Sequence, residues 1–138
     1  MKKREPVSKI MTSNVRVANE SDSLRDIMAT FKKEKIRHMP VTKGGKVVGI
    51  VSATDLNRLT FGGLFENQNE VDEAVLDMLS VPQVMTSNPS TVTSEDAIKE
   101  VAEIFTNQDF HALPVVDGNN LKGIVTTTDI IKYMLDQY

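Results

Sequence analysis

The chain contains no cysteine, only two histidines, and aromatic residues at just 5% of its length. Without cysteine there is no disulfide, no thiolate nucleophile and no sulfur-rich zinc site. The histidines, His38 and His111, lie 73 positions apart, and no metal site is expected from them. Neither G-x-x-x-x-G-K-[ST] nor G-x-G-x-x-G occurs, so the common phosphate-cradling loops are missing. With no nucleophile and base in view, no enzyme and no catalytic cofactor are expected. Charge of one sign is not in excess either. Sixteen Lys and Arg against nineteen Asp and Glu leave a net charge of -3, which provides no whole-chain attraction to nucleic acid or to an anionic membrane. Met1-Lys2-Lys3-Arg4 has the charge of a signal peptide's first region, but Glu5, Pro6 and Ser8 follow where about ten apolar residues are required. A cytoplasmic protein is expected.

What the chain does contain is written twice. Gly49-Ile50-Val51-Ser52-Ala53-Thr54-Asp55 returns as Gly123-Ile124-Val125-Thr126-Thr127-Thr128-Asp129. At the same offset of 74 positions, Met11-Thr12-Ser13-Asn14 falls on Met85-Thr86-Ser87-Asn88, Phe31 on Phe105, and Pro40-Val41 on Pro114-Val115. A fixed offset without a gap marks an internal repeat. The division is repeat one at 1–60, a linker at 61–80 and repeat two at 81–138, together one compact body.

Each repeat carries the same periods. Leu24, Ile27, Met28 and Phe31, and again Ile98, Val101, Ala102 and Phe105, stand at i, i+3, i+4 and i+7, which predicts a helix burying one stripe. Asn19 with Asp22, and Thr93 with Asp96, supply capping signals. A short strand at Met39-Pro40-Val41, a glycine turn at Lys43-Gly44-Gly45-Lys46 and an apolar strand from Val47 to Val51 predict a hairpin, matched by Asp117-Gly118-Asn119-Asn120 and Leu121 to Val125. The fold class is α+β, a lead-in turn (Val7 to Met11) followed by β-α-β-β-α, twice. A unit of about 55 residues buries too little surface alone, so the two are expected to pack about a pseudo-twofold axis. Between them, Val71, Ala74, Val75, Met78 and Leu79 sit at helical spacing after the apolar Phe61-Gly62-Gly63-Leu64-Phe65. This predicts a linker helix on the flank and a homodimer contact there.

Ser52-x-x-Asp55 and Thr126-x-x-Asp129 read first as capping boxes. That does not account for Arg37-His38 and His111, which stand just before Pro40 and Pro114. A helix N-terminus with a carboxylate beside it and a cation nearby suits a ligand with a diol at one end and an anion at the other, such as a ribose phosphate.

Taken together, Met-Thr near the start, a helix, cation-x-Pro-Val or its variant, glycine and G-I-V-[ST]-x-x-D, twice over nearly the whole chain, resemble a tandem pair of cystathionine β-synthase (CBS) domains, the Bateman module. The resemblance implies regulatory clefts for an adenosyl ligand, AMP, ADP or ATP, or alternatively S-adenosylmethionine. It implies ribose contacts by Asp55 with Ser52 and by Asp129 with Thr126. Phosphate contacts match Arg37, His38 and His111, and base contacts match Val15, Ala18, Ile50, Val92 and Ile124. The two copies differ where the first has Arg37-His38 and the second His111-Ala112, so their clefts cannot be equally positive. The target is expected to be an unidentified protein engaged in trans, because no effector domain accompanies the repeats. A structural dimerisation module that binds no nucleotide is the alternative reading.

Overall fold

In a computed structural model the described residues are 5–59 and 74–138. The chain divides into two compact units, a first of Arg16–Asn88 and a second of residues 5–15 with Pro89–Tyr138. Phe61 to Phe65 and Val71, read above as part of the linker, fall outside the described residues.

The first unit runs β1 (Ala18–Asn19), α1 (Leu24–Glu34), β2 (His38–Lys43), β3 (Lys46–Ser52), α2 (Ala53–Leu59), α3 (helical at 74–78), α4 (Val81–Val84) and β4 (Thr86–Ser87). Its sheet is ordered β1-β2-β3-β4, with β1 parallel to β2 and the remaining pairs antiparallel. The second unit holds a 3₁₀ turn at Val7–Lys9, α5 (Ile98–Thr106), β5 (Ala112–Asp117), β6 (Asn120–Thr126) and α6 (Thr127–Asp136). Its outer strands shrink to single bridges, Val92 to Val115 in parallel and Thr12 to Ile124 in antiparallel. These bridges match, at the offset of 74, Ala18 with Val41 and Thr86 with Ile50 in the first unit. The mixed α+β fold and its two repeats follow the sequence reading.

The lead-in segments are exchanged between repeats. Thr12 of the first repeat pairs with Ile124 of the second, and Thr86 of the second with Ile50 of the first. This explains the glycine of each G-I-V. A Cβ at Gly123 would lie 2.5 Å from the Thr12 carbonyl oxygen and 3.1 Å from Met11 Sδ, and one at Gly49 would overlap Met85 Sδ. Met-Thr and Gly-Ile-Val are therefore one packing motif, with the backbone approaching a strand too closely for a side chain.

Both hairpins carry a register shift at equivalent places, between Val41 and Thr42 and between Val115 and Val116. Gly44 and Gly45 take φ of 59° and 83°, the left-handed pair that a two-residue hairpin turn requires. Helices α1 and α5 bury Leu24, Ile27 and Phe31, and Ile98 and Val101. Their caps lie one turn later than the sequence signals suggested. Ser23 Oγ accepts from Asp26 N–H at 3.0 Å and Glu100 accepts from Ala97 N–H at 3.3 Å. Asp22 and Asp96 instead accept from Asn19 N–H and Thr93 N–H, at 2.8 and 2.9 Å, closing the turns before the helices.

Each unit has its own core. Leu24, Val41, Val51, Leu56 and Val81 are almost wholly buried in the first, and Val7, Val101, Leu113, Val115 and Val125 in the second. Val81 and Val7 occupy equivalent lead-in positions, so each core is closed by the other repeat's valine. Helix α3 shows a different face from the one expected: Leu76 is buried, while Met78 is 80% exposed. Arg25 on α1 fixes that face by donating from Nε and Nη2 to both oxygens of Asp77, each at 2.6 Å. The same contact holds the Asp77 carboxyl below its ordinary range.

Candidate functional site

In both units the second hairpin strand runs straight into a helix, and the [ST]-x-x-D motif straddles the junction. Ser52 N–H donates to Asp55 Oδ2 at 3.0 Å, and Asp55 N–H donates to Ser52 Oγ at 3.0 Å. Thr126 N–H donates to Asp129 Oδ2 at 2.9 Å, and Asp129 N–H to Thr126 Oγ1 at 3.2 Å. The capping-box reading is thus met in full. It uses only one oxygen of each carboxylate. Among the described residues no hydrogen bond reaches Oδ1 of Asp55 or of Asp129. Both residues are half-buried. A carboxylate has about four acceptor positions, so the cap leaves room for a hydroxyl donor on the same group. Its negative charge also lies at the positive end of the helix.

The cationic candidates are held at this junction through the backbone. The Arg37 carbonyl accepts from Ala53 N–H at 2.8 Å, and the His111 carbonyl accepts from Thr127 N–H at 3.0 Å. His38 pairs with Ser52, and Ala112 with Thr126, across the two hairpins. Each repeat therefore places its cation position and its hydroxyl–aspartate pair at the same end of the sheet. Arg37 and His111 are exposed and His38 is half-buried. Among the described residues the Arg37 guanidinium has no hydrogen-bond or ion-pair partner.

Two cavities each hold only part of the set. Arg37 lines a cavity of about 430 Å³ with Met28, Phe31, Lys32, Lys35 and Asn57 among others, and Asp55 is not part of its wall. Asp129 lines a cavity of about 370 Å³ with Glu5, Lys9, Lys132 and Tyr133 among others, and His111 is not part of it. The Tyr133 hydroxyl donates to Glu5 Oε2 at 2.9 Å; burial, and then this contact, raise the phenol above its ordinary range.

Of the base candidates, Ala18, Val92 and Ile124 are buried, whereas Val15 and Ile50 are half-exposed. Ala18 and Val92 are equivalent residues that pair in parallel with Val41 and Val115 and pack into the two cores. Two features escaped the sequence reading. One is the pair Lys32 and Lys35 beside Arg37, detectable as cations closing α1. The other is the pairing of Met-Thr with Gly-Ile-Val, whose only signal was their common offset.

Among the described residues no cluster of three His, Cys, Asp or Glu could hold a metal, and no helix is long and apolar enough to cross a membrane.

The family model described as "CBS domain" matches residues 7–61 and 81–136. Protein MJ1225 of Methanocaldococcus jannaschii is 31% identical over 131 residues, covering 94% of this chain and 47% of its own length. Its crystal structure superposes with a TM-score of 0.81, covering 97% of this chain and 49% of that one. The chain spans 32% and 44% of two further relatives from that organism, MJ1404 and MJ0188, so it covers about half or less of these proteins. The CBS-pair protein CBSX2 of Arabidopsis thaliana gives a TM-score of 0.85 at 25% identity, over 98% of this chain and 97% of that one. A structure of CBSX2 in complex with AMP gives 0.78 at 26% identity, over 95% and 97%.

Proposed function

The chain belongs to the CBS-domain family, as a pair of such domains, and from that premise we propose that it is a regulatory module that senses an adenosine nucleotide and signals to a protein target. The observation that carries this reading is the half-buried carboxylate, repeated in both units, that caps a helix with one oxygen and leaves Oδ1 unengaged among the described residues. A ribose diol supplies the donors that such an oxygen lacks. Asp55 with Ser52 and Asp129 with Thr126 take the ribose in this proposal. Arg37, assisted by His38, takes phosphate in one repeat and His111 in the other. In the first unit the base lies against Ile50 with Ala18 behind it, and in the second against Val15 with Val92 and Ile124 behind it. The AMP complex of CBSX2, a protein of nearly the same extent, supports the choice of ligand class.

The module is proposed to act in the cytoplasm as a homodimer, without catalysis of its own. Signalling requires that the ligand favour one of two states of the module. The direct test is a thermal-shift panel with AMP, ADP, ATP, S-adenosylmethionine and NAD, because a ligand that prefers the folded state must raise its stability. A rise with AMP, ADP or ATP supports the proposal. A rise with S-adenosylmethionine alone would reassign the ligand, and no rise with any of the five would favour a purely structural module.

A further inference from the structure

Helix α1 runs out into a basic segment, Lys32-Lys33-Glu34-Lys35-Ile36-Arg37. Lys32, Lys35 and Arg37 line the cavity of about 430 Å³ in the first unit, whose remaining wall is chiefly apolar, from Met28, Phe31 and Ile36 and from Ala53 and Leu56 of α2. Among the described residues no acidic side chain lines it. Glu34, the one acid of the segment, is drawn away by Arg16, whose Nε lies 3.1 Å from its Oε2. The three cations are exposed, and none has an ion-pair partner among the described residues. Like charges gathered on one rim repel one another, and here they do so in a chain of net charge -3.

The helix alone does not explain this rim. Cations in the last turn suit the negative end of α1, which accounts for Lys32 and Lys33. Arg37 lies beyond the helix. Lys35 caps it at φ 56° and ψ 39°, a left-handed conformation that suits glycine and penalises a side chain. The repeat fold does not impose the rim either, since at the offset of 74 the residues matching Lys32, Lys35 and Arg37 are Thr106, Asp109 and His111. A cavity of this volume falls in the range of small-molecule sites. Its floor suits a ring or short chain, and its rim requires more than one negative charge. A carboxylate brings one. A phosphate monoester brings about 1.5–2 at neutral pH, with three acceptor oxygens, enough for the Arg37 fork and both ammonium groups.

We infer that the cavity between α1 and α2 binds a small phosphate monoester with an apolar body, such as an aryl phosphate. The inference goes beyond the nucleotide reading and shares only Arg37 with it, so the two can fail separately. Isothermal titration of the full chain with 1-naphthyl phosphate, 1-naphthol and inorganic phosphate tests it. The ester should bind at least about tenfold more tightly than either fragment, because it alone uses both floor and rim. The double variant Lys32→Ala with Lys35→Gly should lose about tenfold for the ester, two exposed charge pairs together, and keep its affinity for AMP. Circular-dichroism melting should show this variant folded, since glycine suits the φ of 56° at position 35. Lys33→Ala, which removes a cation outside the cavity wall, should change ester binding less than about twofold. No binding of the ester, or an affinity equal to that of inorganic phosphate, would overturn the site. A loss with Lys33→Ala as large as that of the double variant would reduce it to unspecific charge attraction and overturn it as well. The head of phosphatidic acid offers the same chemistry at a membrane surface. Association with vesicles of phosphatidylcholine and phosphatidic acid, without binding of the free ester, would overturn a small-molecule site in favour of a lipid one.

Discussion

The Arg37 carbonyl oxygen accepts the Ala53 N–H at 2.8 Å, tying the residue that leads into β2 to the first residue of the helix that carries Asp55. His111 and Thr127 repeat this link at 3.0 Å. The backbone at this position is therefore fixed by the fold, while the side chain is left to vary between repeats.

It follows that Arg37→Met should leave stability nearly unchanged, because the fixing bond is made by the main chain. AMP binding should fall by about 1.5–3 kcal/mol, the scale of hydrogen bonds to a charged group, while adenosine binding changes little. Isothermal titration of the two ligands checks this. Equal losses would make Arg37 a surface cation.

The two roles of the [ST]-x-x-D motif can be separated. Thr126→Ala removes the acceptor for Asp129 N–H and should cost about 1 kcal/mol of stability. Asp129→Ala should destabilise on a similar scale and also weaken AMP by about 1.5–3 kcal/mol. Urea unfolding and ligand titration on the same two variants distinguish cap from ribose contact. If both variants lose stability but neither loses affinity, the aspartate is a cap only.

Gly123→Ala should destabilise by about 1–3 kcal/mol through overpacking, since the new Cβ would meet the Thr12 backbone at 2.5 Å. Gly49→Ala meets chiefly the Met85 side chain, which can move. It should cost less, and Met85→Ala should recover part of the loss in urea unfolding. Equal costs at the two glycines, without recovery, would refute the exchange of lead-in segments as their cause.

Acid stability should depend on Asp117. The Ser94 hydroxyl donates to its Oδ2 at 2.6 Å and the Ser94 N–H to its Oδ1 at 3.0 Å, and these bonds hold the carboxyl below its ordinary range. A lowered folded-state pKa means that the stabilisation is complete above the unfolded value of about 3.9 and is lost as pH falls through the folded value. Asp117→Asn should therefore show a shallower loss of stability below about pH 4 than the unmodified chain. The equivalent positions in the first repeat hold an exposed ion pair, Lys43 with Glu20 at 3.4 Å, and Lys43→Ala should change little.

Much of this was legible in the sequence because the repeat supplied its own control. The i, i+3, i+4, i+7 stripes of α1 and α5, the glycine hairpins and the helix-opening aspartates appeared twice at one offset, and the fold contains them all. The exchange of lead-in segments was not legible. Thr12 and Ile124 stand at opposite ends of the chain, and no local period reports so distant a pairing. The buried face of α3 was misread because Arg25, far away in sequence, fixes Asp77 outward and leaves Leu76 to the core. For the site, the motif showed which residues meet at the helix start, but not that one carboxylate oxygen would remain unengaged.

The central claim is that an oxygen of Asp55 or Asp129 receives a ribose hydroxyl. Titration of the purified chain with AMP and with 2′,3′-dideoxy-AMP tests it most directly. AMP should bind at least about tenfold more tightly, because the deoxy analogue leaves the carboxylate oxygen without its donor. Equal affinities for the two nucleotides, or binding of neither, would contradict the account.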